Sequence, residues 1–260
     1  MALFLRFRSA LLQWIYRQSV GMRHIGCIKR IVALPGTKKP AGGIPSSVSL
    51  SQNRMNTITS TRLTKLCGWF GLLSIGLFIL SLAFIHSAGA NIDWLRDYVS
   101  NMANEPQGWA FNVGAFVHGL GYLLIALGLS YSLCSGWLRS WGVNLLILVA
   151  IGVVLAGLFP TDPPGQLKTI SGLIHRLAAT VAFMSELAAL FIFSTAFRHD
   201  CRWQEQQTIS LSISIIAALT MVVFILAIQV DITPGLAERI VMIPLLIWEV
   251  WICVRLIKWG

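Results

Sequence analysis

Charge is what this sequence has least of. Only 12% of its 260 residues are Asp, Glu, Lys or Arg, about half the share of a typical soluble domain. So few charges cannot coat a water-facing surface, which excludes an ordinary soluble globule. Acids are missing altogether from residues 1–65, which hold eleven of the twenty Lys and Arg. The net charge of +10 is therefore an N-terminal property. No zinc-finger spacing, RNP-like strand or ordered basic helix accompanies it, so nucleic acid is not expected as a partner. A cytoplasmic segment facing anionic lipid fits the pattern better. The five cysteines, Cys27, Cys67, Cys134, Cys201 and Cys253, make no CxxC pair and no zinc spacing. That argues against a disulfide framework or a structural zinc. HExxH is absent too, so a metal-dependent hydrolase has no strong motif behind it.

What the chain has instead is apolar length. It is 56% hydrophobic, with a mean hydropathy of +0.73. A helix needs about 20 apolar residues to cross a bilayer. Six such runs are present: Leu66–Ile85, Trp109–Leu133, Trp141–Phe159, Gly172–Phe197, Ile209–Val230 and Leu236–Ile257. Trp69, Trp94, Trp109, Trp137, Trp141, Trp203 and Trp259 stand near their ends, where aromatic side chains anchor helices at the interface. The expected fold is all-α, a six-helix transmembrane bundle. Arg139, Arg198, Arg202, Arg255 and Lys258 fall on the same side as the basic N-terminus, against Arg96 and Lys168 on the other, with Arg176 and Arg239 at helix entrances there. This bias predicts both termini in the cytoplasm.

Two domains are expected: residues 1–64, a basic, mostly disordered cytoplasmic extension, and residues 65–260, the membrane domain. Residues 1–20 have the pattern of a short basic amphipathic helix, with some character of a transit peptide. Residues 33–60 read as a Ser/Thr/Gly/Pro linker. Met55 is an alternative start that would leave a short basic lead. Among the loops only residues 86–108 are long. Within them IDWLRDYVSNM predicts a short interfacial helix, either a lid or, as the preferred reading, an anchor.

Ionisable residues inside the spans are few, and each is costly in hydrocarbon, so each is a site candidate. The fourth span carries His175, Arg176 and Glu186. Positions 175, 179, 182 and 186 share one helical face. Glu186 lies about 16 Å deeper than His175. The sixth span repeats this arrangement, with Glu238 and Arg239 at its mouth and Glu249 eleven residues on. The second span adds Asn112 and His118. The stretch GLFPTDPPG, residues 157–165, ends the third span in a turn that delivers Asp162 to the same side. Asn112, His118, Asp162, His175, Arg176, Glu186, Glu238, Arg239 and Glu249 thus outline an external polar site. The plain alternative is structural: Arg176 pairs with Asp162 or Glu238, Arg239 with Asp231, and Glu186 and Glu249 bond hydroxyls such as Ser185, Ser212 or Ser214.

Several chemistries suit such a set. A polar pocket would bind a small or lipidic ligand. A metal-dependent membrane hydrolase would use His118, His175 and Asp162 or His86 as ligands, with a carboxylate activating water. A haem protein would use His118 and His175 axially. A proton-coupled transporter would relay through Glu186 and Glu249, although six helices with no clear inverted repeat suit it less. A structural membrane partner would need none of these. Lipids are the one partner that composition requires; the residues do not single out a cofactor, an activity or an oligomeric state.

The segments GWAFNVGAFVHGLGYLLIALG, AGLFPTDPPG, SGLIHRLAATVAF and PGLAERIVMIPLLIWEVW resemble the DUF998 family of prokaryotic multi-pass membrane proteins, over about residues 66–257. The most recognisable family features, an FP-x-D turn and a histidine shortly after it, would fall on Phe159, Pro160, Asp162 and His175. The Asn-x-Gly pair of the second helix would be Asn112 and Gly114. The resemblance implies about six helices and an inner or plasma membrane location. It implies no activity.

Overall fold

The computed structural model describes residues 47–88, 92–163 and 167–259, with side chains from residue 61 onward. The amphipathic helix expected over residues 1–20 and the Pro164–Gly165 pair lie outside the described residues. Six long helices are present: α1 (Ser47–Ser87), α2 (Gly108–Ser132), α3 (Trp137–Leu158), α4 (Ile170–Arg198), α5 (Gln207–Val230) and α6 (Pro234–Trp259). Each is long and apolar enough to cross a membrane. The fold is all-α, as expected.

Five of the six spans start and stop within a few residues of the apolar runs. The exception is α1, which begins at Ser47, inside the segment that composition marks as linker. No Gly or Pro interrupts residues 46–67. Once the apolar turns have nucleated a helix, extending it backwards costs little per residue. Its backbone therefore runs unbroken through residue 64, across the expected domain boundary.

The other ends have local causes. Phe159 is extended, ending α3, as the residue before a proline prefers. Thr169 caps α4, its hydroxyl accepting the Gly172 N–H at 3.0 Å. Asp231 closes α5 in the left-handed region, with φ 52°. Pro234 opens α6, where its missing N–H costs nothing.

Helices adjacent in sequence pack side by side, and α1 closes the ring against α6. Small residues permit the close approach. A Cβ on Gly68 would lie 2.7 Å from the Cys253 carbonyl of α6, and one on Gly152 would lie 2.7 Å from the Ala178 carbonyl of α4. The first turns of the apolar part of α1 thus meet the end of α6 at what we term the base. Residues 92–107 cover the opposite end, the cap. Burial is uneven: 61% of the apolar window of α2 is buried but only 17% of that of α5. Accordingly α2 can carry polar side chains inward, whereas α5 has no charged residue.

One anchor assignment changes. Trp203 is fully buried, stacked on Phe197 at 4.7 Å and donating to the Ser132 hydroxyl at 2.9 Å. It is a core residue at the base. Trp69, Trp94, Trp109, Trp137 and Trp141 are exposed, as anchors are.

Candidate functional site

The apolar core is divided. One cluster fills the base half around Leu129, Leu146, Phe193 and Trp248. A smaller one lies under the cap, around Phe78, Ile85, Val99, Met102 and Phe111. Between them is a cavity of about 130 Å³. Phe78, Phe111, Tyr122 and Phe183 supply aromatic walls, and α4 and α6 supply most of the polar ones.

The deepest polar layer joins α2, α4 and α6. His118 Nε2 is 2.8 Å from Glu249 Oε2, and the Tyr122 hydroxyl donates to Glu249 Oε1 at 2.8 Å. Both Glu249 oxygens are therefore engaged, and the residue is 1% exposed. Phe78 stacks on the His118 ring at 4.7 Å, fixing its plane. From the facing helix Glu186 lines the same space, near enough to interact electrostatically with Tyr122 and Glu249. Glu186 is 5% exposed, and its Oε1 is buried with no hydrogen-bond partner. Sequence reasoning passed over Tyr122. The available signal was its position four residues after His118, one turn along the same face.

The upper layer holds His175 and Glu238. His175 Nδ1 lies 2.9 Å from the carbonyls of both Ala156 and Phe159. Carbonyls only accept, so Nδ1 bears the hydrogen, and in the neutral ring Nε2 is an acceptor. The histidine thereby serves the carbonyls left open at the end of α3 while its ring lines the cavity. Glu238 Oε2 accepts the Val99 N–H at 2.5 Å. Arg239 does not pair with Asp231; its Nη1 donates to the Asp97 carbonyl at 2.8 Å and to Gly235 at 2.9 Å, with its guanidinium over the Trp94 ring at 5.0 Å.

These bonds hold the cap in place. The segment is a turn closed by Asp93 and Asp97, followed by a 3-10 helix at Val99–Asn104, rather than one helix over IDWLRDYVSNM. The Leu236 N–H donates to the Leu95 carbonyl at 3.2 Å, tying the turn to the start of α6. Trp94 and Leu95 remain exposed, as an anchor requires, while Val99 and Ser100 line the cavity, as a lid requires. Outside the spans, burial and then the Glu238 and Asp231 carboxylates push the Tyr98 phenol above the usual tyrosine range.

Other expected site residues go elsewhere. Asp162 accepts the Thr169 hydroxyl at 2.6 Å and the Thr169 N–H at 3.2 Å, and its carboxylate packs over Gly172. It braces the α4 cap. Arg176 is exposed, and no ion pair joins it to Asp162 or Glu238 among the described residues. Asn112 packs by its backbone carbonyl against Gly157, with Oδ1 buried and unpartnered; it does not line the cavity. Of the hydroxyls expected near the glutamates, Ser214 is used between α4 and α5 instead: Ser194 bonds it at 3.2 Å and bonds Ser210 at 2.7 Å, and Trp248 of α6 donates to Ser210 at 3.0 Å.

The proposed metal ligands do not converge. His118 is held by Glu249, Asp162 by Thr169, and His175 by backbone carbonyls. Among the described residues no three His, Cys, Asp or Glu side chains form a metal-binding group. The bond to Glu249 occupies His118 Nε2. What the cavity offers is a Glu186 carboxyl oxygen with no hydrogen-bond partner, between aromatic walls.

At the base a second polar cluster escaped the sequence reading. Asp200 accepts the backbone N–H of Cys134 at 2.7 Å and of Arg202 at 2.9 Å. Arg139 donates to the Ser130 carbonyl at 3.0 Å, and Arg202 donates to the Ser132 carbonyl. Cations placed at the end of α2 satisfy its last carbonyls and oppose its dipole.

A family model described as a protein of unknown function (DUF998) matches residues 72–255. No curated protein and no solved structure matches the chain. The match covers well over half of the sequence: the chain belongs to the DUF998 family and is a multi-pass membrane protein.

Proposed function

We propose that this protein binds a small or lipidic ligand in the cavity between α2, α4 and α6, with the cap facing away from the cytoplasm. The observation that carries the reading is the bare Glu186 oxygen. A buried acceptor without a partner costs about 1–3 kcal/mol, and more if charged. A chain that keeps one beside a cavity gains from it when something binds there. The loop Lys/Arg bias supports the orientation, with both termini in the cytoplasm of an inner-membrane protein. His118 and Tyr122 act through Glu249, holding the floor of the site rigid. His175 and Glu238 line its upper part, and Val99 and Ser100 cover it.

Native mass spectrometry of protein extracted in mild detergent tests this. A bound small molecule or lipid is expected in the wild type. It is expected to be lost in Ala179→Leu, which fills the cavity wall, at unchanged membrane abundance. An adduct that survives Ala179→Leu and Glu186→Gln together would place binding elsewhere.

A further inference from the structure

We propose that the ligand is a primary ammonium ion, its N–H groups directed at Glu186 Oε1. This rests on the reading of the cavity as a ligand site. The make-up of the walls is the first argument. Glu186, Glu238 and Glu249 line the space with two imidazoles, and no Lys or Arg is among the described lining residues. No ammonium or guanidinium side chain is there to pair with a phosphate or a carboxylate.

Hydrogen bonding is the second argument. Both oxygens of Glu249 are taken, and Nδ1 of His175 is taken. Glu186 Oε1 has no partner, and in the neutral ring His175 Nε2 accepts as well; the Ser100 hydroxyl, also in the lining, can donate or accept. A ligand that meets Glu186 Oε1 as a carboxylate oxygen brings a donor to it. An ammonium group has donors only, which also rules out a quaternary ammonium, since that has no N–H. The walls are the third argument. Phe78, Phe111, Tyr122 and Phe183 are aromatic, the class of side chain that attracts a cation, while Val153, Leu245 and Leu246 suit an alkyl tail. The volume of about 130 Å³ is close to that of a cavity that holds benzene, about 150 Å³. A ligand portion of about five or six heavy atoms fits.

The same chemistry is found in a free alkylamine and in the ethanolamine headgroup of a lipid. Two experimental arms separate them. In the first, purified protein is titrated calorimetrically with n-butylammonium chloride, against tetramethylammonium, n-butanol and butyrate. Saturable binding of butylammonium, at least tenfold tighter than any control, is expected. Glu186→Gln should weaken it at least tenfold, while Asp162→Asn should leave it unchanged. In the second arm, native mass spectrometry follows protein from nanodiscs of phosphatidylethanolamine or phosphatidylcholine. Selective retention of the ethanolamine lipid places the ammonium on a lipid. Butylammonium selectivity without lipid retention identifies a free amine. If Glu186→Gln fails to fold, the wild-type selectivity series decides the matter alone. Butanol or butyrate binding as tightly as butylammonium overturns the ammonium assignment and leaves the cavity as a ligand site. No binding of any probe, together with no retained adduct, overturns both.

Discussion

At the base of the bundle Asp200 is 2% exposed, and its oxygens accept the Cys134 and Arg202 backbone N–H groups. In the cavity Glu186 is 5% exposed, and one of its oxygens accepts nothing. Both are single acids buried within an apolar bundle. The first is matched by the loops just beyond α2 and α4, where the Cys134 and Arg202 N–H groups lie outside either helix. The second lies mid-helix, where the neighbouring backbone is already hydrogen-bonded. Burial alone therefore does not separate the two acids. The state of each oxygen does.

The comparison is sharpest under mutation. Asp200→Ala strands two backbone donors and should show the largest effect, a stability loss of about 3 kcal/mol, read from thermal unfolding in detergent. Glu249→Leu comes next. It leaves His118 and Tyr122 without their partner and should cost about 2 kcal/mol by the same assay. Glu186→Met should run the other way, neutral or stabilising by up to about 1 kcal/mol, because it removes an unmatched acceptor. A Glu186→Met loss as large as that of Asp200→Ala would erase the distinction and make Glu186 structural. The smallest effect is expected at Tyr98, beside the cap. Its raised phenol adds stability that is present below about pH 10 and is lost as pH rises through the folded value. A spectroscopic phenolate titration should find it ionising above ordinary tyrosine, and Asp231→Asn should bring it partway down.

Much of the architecture was legible because apolar length is a local property. The six spans followed from runs of about 20 residues, and the end of α3 followed from Pro160. The start of α1 was not legible, because helix extension depends on a nucleus several turns away rather than on the composition of residues 47–60. In the site, spacing placed His175 with Glu186, and Glu238 with Glu249, along their own helices, and all four line the cavity. Asp162 shared their side of the bundle and was drawn into the same set. Its carboxylate went to Thr169, seven residues along, a partner that is close in sequence and cheap to reach.

By itself the sequence determined the membrane class, the number of crossing helices and the faces on which polar groups lie, since these depend on composition and helical period. Tertiary structure decided which groups meet. His118 reaches Glu249 across 131 residues, and Tyr122 completes that carboxylate. Glu186 is left with a bare oxygen because its neighbours' donors are already spent. No spacing rule encodes that remainder: it is what is left after donors from three separate helices have been matched in space.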